Sequence, residues 1–418
     1  MNILIKSATI IDSKSEFHNS TQDILIENGV ITKIANSIKN SKNYQEVSLN
    51  NLHISQGWFD SGVCFGEPGL EERETIANGL QTAALSGFTA VALNAYSNPV
   101  IDSNSDITFI KSKSLNHAVT LLPIGALTVS SQGVDLAELY DMSSAGAVAF
   151  YDYKKPISNP NLMKIALQYA SNFNGLVCSF PQENKIAGLG VMNENITSTR
   201  LGLKGIPALA EEMQIARDLF LLEYTGGKLH IPTISTATSV ALIREAKKKK
   251  LDVTCSVAIH NLYFTDEALT DFNTHFKVLP PLRTQSDADA LIEGVKDGTI
   301  DMVTTDHNPL NIELKKIEFD YANYGTIGLE TAFGALQTLF TTKKTIDILT
   351  KGKNRFGLEA SAINEGALAN ITLFNPDSKA VFTTKDILSK SKNAIFENET
   401  LKGSVYGIIA NNQMVLKS

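Results

Sequence analysis

The segment Thr305-Asp306-His307-Asn308-Pro309 sets a carboxylate beside an imidazole at a proline-bounded corner. Asp306 there is a candidate general base or metal ligand, and a turn or helix-capping aspartate is the plainer alternative. Two more residues could join it: Cys64, after Gly62-Val63, and His260, before Asn261. A catalytic zinc takes about three protein ligands and a water. Cys64, Asp306 and His260 are the one small set the sequence offers for it. No Lys, Arg or His lies in the loop of Cys64 to lower its pKa, so a small buried apolar residue is the simpler reading. His230 precedes Thr233 by an odd number of positions. If Thr233 faces inward, His230 faces mostly outward, as a packed structural histidine.

These residues stand at the ends of apolar runs. Candidate strands are 54–65, 88–95, 118–127, 146–152, 176–180, 229–235, 253–260 and 302–306. Helical patterns fall between most of them, at 71–85, 134–143, 160–173, 208–224, 237–249 and 286–296, with another at 328–339. Eight such repeats predict an α/β fold, a (β/α)8 TIM barrel, whose chemistry lies at the C-terminal strand ends. Those ends carry Gly62 and Cys64, Tyr96, Tyr153, Ser179, Thr233, His260 and Asp306 in turn. Gly62 and Cys64 are two apart and face the same way. Short strand-like runs at both chain ends predict a small β domain from 1–57 plus 356–418, around a barrel of 58–355. A doubly wound dinucleotide-binding sheet is disfavoured, because no GxGxxG follows any strand.

Bulk properties narrow the partners. The 418 residues carry a net charge of −7, with 43% hydrophobic and 19% charged residues. That balance disfavours nucleic acid and anionic membrane surfaces. Lys247–Lys250 reads as a solvated helix end. Three cysteines in apolar settings suit a reducing compartment. No signal peptide and no membrane-length apolar run is read, and a cytoplasmic protein is expected.

Several stretches are more specific. They are Glu67-Pro68-Gly69 with Glu72 and Glu74, Leu201–Pro207 with Ala210-Glu211, and Ile234-Ser235-Thr236-Ala237. Lys277-Val278 with Pro280-Pro281-Leu282-Arg283, Asp297–Asp301, Thr305-Asp306-His307, and Gly325 with Gly328–Thr331 complete the set. In these the chain resembles the dihydroorotases of the amidohydrolase superfamily, the class associated with aspartate transcarbamoylase. The resemblance runs nearly end to end. It implies reversible cyclisation of N-carbamoyl-L-aspartate to dihydroorotate in pyrimidine synthesis, at zinc ions in the barrel mouth, with a strand-eight aspartate as proton shuttle.

Carried over residue by residue, the resemblance puts the family's metal ligands on Gly62, Cys64, Tyr153, Ser179 and Thr233. It puts the substrate-binding positions on Gly66, Tyr96, Leu279 and Leu310. Only Asp306 keeps the family's residue. Glycine has no donor, and neutral hydroxyls are poor zinc ligands beside imidazole. The expectation is a non-catalytic homologue without cofactor, a homo-oligomer that scaffolds aspartate transcarbamoylase. One alternative is an active dihydroorotase with a one-zinc site of Cys64, Asp306 and His260. Another is metal-free work on a different small molecule, with Tyr96 and Tyr153 making the pocket more aromatic.

Overall fold

The two chain ends share one sheet because each supplies strands with an isoleucine-rich face. In the computed structural model, which describes residues 1–417, the strands run Gln413–Leu416, Thr400–Ala410, Ile371–Val381, His53–Gln56, Asn2–Ile10, Thr21–Glu27 and Val30–Ala35. Gln45–Val47 adds to Asn2–Ile10. Ile3, Ile5, Ile10, Ile24, Ile54, Ile371 and Ile409 pack into one apolar cluster.

The second sheet holds eight parallel strands in chain order: Trp58–Val63, Phe88–Leu93, Thr120–Gly125, Ala149–Phe150, Leu176–Cys178, Lys228–Ile231, Val253–Ala258 and Met302–Thr304. It curls into the expected TIM barrel. Its strands are buried on both faces and mostly apolar, as helix-covered parallel strands are, with polar exceptions such as Asp60, His230 and Ser256. Val91, Val177, Leu229 and Val257 pack outward against helix residues such as Leu80, Leu167, Leu222 and Ile243. Phe59, Ala92, Ile124, Cys178, Met302 and Phe356 fill the inside. Each large side chain so buried contributes about 1.5–3 kcal/mol.

Strands one and eight meet through a side chain rather than a ladder. Fully buried Asp60 accepts from Thr304 Oγ1 at 2.6 Å, Thr305 N at 3.1 Å, Gly62 N at 3.0 Å and the Thr305 hydroxyl. Cys64 N donates to His307 O at 2.8 Å just above.

Some boundaries differ from the sequence reading. The run 54–65 is two strands hinged at Gly57, where a Cβ would lie 2.0 Å from Asn370 Oδ1. The first helix spans Ile76–Leu85, because Thr75 accepts from Asn78 N and caps it there. The helix read at 134–143 spans Leu139–Ala145, and a helix the sequence reading did not place, Asn104–Lys113, precedes it. Strand seven ends at Ala258, so His260 lies on the short helix Ile259–Tyr263.

Candidate functional site

The barrel mouth places most of the singled-out residues together. Gly62, Tyr153, Thr233 and Asp306 border a shared interior space with Cys178, His230, Ser256 and Phe356. That space measures about 20 Å³, little more than one water needs. Aromatic and sulfur-bearing side chains, not an open channel, occupy the barrel axis.

His230 is a correction. It points into the barrel, not toward the helices. Strand six stops at Ile231, Pro232 follows, and Thr233 has a left-handed φ of 51°, so strand alternation does not extend to Thr233. His230 is nevertheless a packed residue: Nδ1 lies 3.0 Å from Thr254 Oγ1 and Nε2 lies 3.3 Å from Ser256 Oγ. Burial pulls its pKa down to about 3.

Asp306 is fixed by a residue the sequence reading missed. Lys154 Nζ lies 2.7 Å from Asp306 Oδ2, with side-chain exposures of 10% and 4%. Tyr153 OH donates to Asp306 Oδ1 at 3.4 Å. Burial raises the Asp306 carboxyl above its ordinary range, while Lys154 and Tyr153 oppose the shift. Lys154 has a φ of 53° immediately after strand four. That left-handed backbone is a feature of the fold, and no residue pattern around Lys154 announces it.

The remaining positions have structural partners. Asp152 accepts from Leu127 N at 2.9 Å, Thr128 N at 3.0 Å and the Thr128 hydroxyl, anchoring the loop after strand three. Ser179 Oγ donates to Asp218 Oδ2 at 2.6 Å. His307 Nδ1 accepts from Gly328 N at 3.1 Å and Leu329 N at 3.4 Å, and burial holds its pKa near 4. Gly66 has a φ of 90°, and a Cβ there would lie 2.7 Å from Leu70 O, so this loop does not accommodate an arginine at Gly66. Leu279 rims the mouth and Leu310 is buried.

These donors do not fit zinc. Among the described residues no three His, Cys, Asp or Glu side chains come together as a metal set. That holds for Cys64, Asp306 and His260. Cys64 is 1% exposed, Asn94 Nδ2 lies 3.8 Å from its sulfur, and burial pushes its thiol up to about 12. Such a thiol is a poor metal ligand and a poor nucleophile. Cys178 and Cys255 are also buried. A thiol reagent at about pH 8 is therefore expected to find no reactive cysteine in the folded protein and all three after denaturation. Rapid labelling of Cys64 in the native state would contradict this geometry.

Above the barrel axis the mouth widens into a cavity of about 860 Å³. Tyr96, Tyr153 and Tyr324 line it with Lys154, Lys155, Lys204 and Lys277. The rings of Tyr96 and Tyr153 lie 5.1 Å apart. Arg73 Nη1 donates to Tyr96 OH at 3.1 Å from behind. Lys277 donates to Phe319 O at 2.7 Å and Asp320 O at 2.9 Å, and burial pulls it down to about 8.

Comparison with known proteins agrees with this fold and with the motifs. A family profile described as "Dihydro-orotase-like" matches residues 54–239. The dihydroorotase of Pelotomaculum thermopropionicum is 40% identical over 100% of this chain and 99% of its own length. That of Acetivibrio thermocellus is 38% identical over 99% of both. Among solved structures, the L-hydantoinase (dihydropyrimidinase) of Arthrobacter aurescens superposes with a TM-score of 0.85 at 18% identity, covering 100% of this chain and 96% of that one. The dihydropyrimidinase of Brevibacillus agri gives 0.83 at 19%, covering 100% and 95%. Those two likenesses establish the barrel architecture alone. The full-length identity to dihydroorotases establishes more: this chain belongs to the dihydroorotase family.

Proposed function

We propose that this chain is a non-catalytic member of its family, serving pyrimidine synthesis as a structural partner of aspartate transcarbamoylase. Full-length likeness to dihydroorotases supports the pathway. The observation that carries the non-catalytic reading is the Lys154–Asp306 pair. The ammonium sits on the one carboxylate that the family's chemistry would use, among Gly62, Cys64, Tyr153, Ser179 and Thr233. A buried carboxylate held by an ammonium, with a tyrosine hydroxyl on its other oxygen, is poorly placed to shuttle a proton to and from a substrate.

The face offered to a macromolecular partner is apolar. On helix Ala208–Thr225, Leu209, Met213, Phe220 and Tyr224 are 51%, 50%, 70% and 77% exposed. Their spacing puts them on one side of the helix. Ile165 and Tyr169 of the neighbouring helix Pro160–Ser171 are also exposed. Adjacent apolar side chains left in water mark interaction surfaces.

Turnover of dihydroorotate by purified protein with added zinc tests the catalytic half, using Asp306→Ala as blank. The expected rate is that of the blank. Turnover above it, with about one bound zinc, would instead favour the site built on Cys64, Asp306 and His260. Co-purification with aspartate transcarbamoylase tests the partner half. Phe220→Glu should weaken it, and a chain that ignores that enzyme would sink the scaffold reading.

A further inference from the structure

The cavity above the barrel has a charge opposite to that of the protein. Four lysines line it, Lys154, Lys155, Lys204 and Lys277, against one acid in the lining, Asp320. The whole chain carries −7. A concave cationic surface on an anionic protein concentrates anions locally, and its low-dielectric walls focus the field. Lys154 spends its charge on Asp306, but the other three have no carboxylate partner among the ion pairs of the described residues.

Chemistry and size narrow the anion. No arginine lines the cavity, so the planar fork that grips a carboxylate is missing. Lysines are point charges suited to phosphate oxygens. Gly188 and Gly202, with φ of 58° and 70°, border the same space, and a Cβ on either would meet nothing within 4 Å. Both are helix C-caps whose N–H groups bond back to their own helices, so they shape the wall and leave the phosphate contacts to the lysines. On the inner wall the paired rings of Tyr96 and Tyr153 offer a face for a flat ring. At about 860 Å³ the cavity is larger than a single ring acid requires.

We propose that the barrel mouth binds a phosphorylated, flat-ringed small molecule of the nucleotide class, its ring on Tyr96 and Tyr153 and its phosphates on the exposed Lys155 and Lys204. The site needs no metal and no partner enzyme. Its failure would leave the scaffold reading intact, and failure of co-purification would leave this site intact.

Isothermal calorimetry on the full chain tests it with three probes: adenosine 5′-triphosphate, uridine 5′-triphosphate and inorganic tripolyphosphate. Both nucleotides should bind, and tripolyphosphate more weakly because it has no ring. Binding should weaken as salt rises. The exposed double variant Lys155→Gln/Lys204→Gln should lose about tenfold or more in affinity. Tyr96→Ala should weaken the nucleotides and leave tripolyphosphate unchanged. Lys248→Gln/Lys249→Gln, at the far end of helix Ala237–Lys248, is the charge-matched control and should bind normally. No heat from any probe at millimolar concentration would overturn the proposal. So would equal losses in the control and the mouth variant. Binding of dihydroorotate or N-carbamoyl-L-aspartate in place of the nucleotides would overturn it as well.

Discussion

Replacing Lys154 with methionine is expected to destabilise the fold by about 3 kcal/mol, because it leaves Asp306 as a lone buried charge. The stem of methionine fills the same space, so the change removes charge rather than packing. Asp306 is 4% exposed on its side chain, and Tyr153 OH at 3.4 Å is its other polar contact. The pair itself contributes much less than 3 kcal/mol, since burying both charges costs about what their attraction returns. The double variant Lys154→Met/Asp306→Asn should therefore recover most of the loss. The pH dependence has a fixed sign. Burial raises the folded-state pKa of Asp306 above 3.8, so the folded state holds its proton more tightly than the unfolded chain. Ionisation then costs stability as pH rises from 3.8 through the raised value. Without Lys154 that cost is larger. The gap between variant and parent in thermal midpoint should narrow on going from about pH 8 to about pH 5. A gap that stays constant or widens toward low pH would mean Asp306 is not the group left exposed to the low dielectric.

The same residues show what the sequence could and could not convey. Eight apolar runs with helical spacers were enough for the barrel, because strands buried on both faces are mostly apolar. The site positions were legible as positions. Gly62, Thr233, Tyr153 and Asp306 do meet at one space. Lys154 was not legible, since a lysine after a strand is ordinarily solvated and nothing local says that it folds back onto a residue 152 positions away. His230 was read to the wrong side because alternation was carried across Pro232 into a left-handed residue. His260 was placed on a strand that in fact ends two residues earlier. Side-chain direction is inherited from local backbone, and it fails wherever a turn intervenes.

The motifs that resemble the family most closely predict the second large effect. Glu211, Ser235 and Arg283 come from separate stretches of sequence, yet they form one buried cluster. Arg283, 4% exposed, donates to Ile206 O at 2.7 Å, Asn193 Oδ1 at 2.9 Å and Ser235 Oγ at 3.1 Å. Its Nη2 lies 3.8 Å from Glu211 Oε2. Glu211, 2% exposed, accepts from Ser235 N at 2.7 Å, Ser239 Oγ at 2.7 Å, Thr236 N at 3.2 Å and the Ser235 hydroxyl. The cluster joins the start of one barrel helix to the loops after strands five, six and seven, all at the barrel mouth. Arg283→Met should cost about 4 kcal/mol, because a buried carboxylate loses its counter-charge and a carbonyl loses its donor. Arg283→Lys should recover only part, since one ammonium cannot reach three acceptors set for a planar fork. Urea-unfolding midpoints of the two variants and of Glu211→Gln/Arg283→Met would measure it. A loss below about 1 kcal/mol for Arg283→Met would show that surrounding dipoles alone hold Glu211. A large loss gives these motifs a physical reason that is independent of catalysis. They hold the loops of the barrel in place, a demand that any partner surface or ligand cavity built on those loops shares with catalysis.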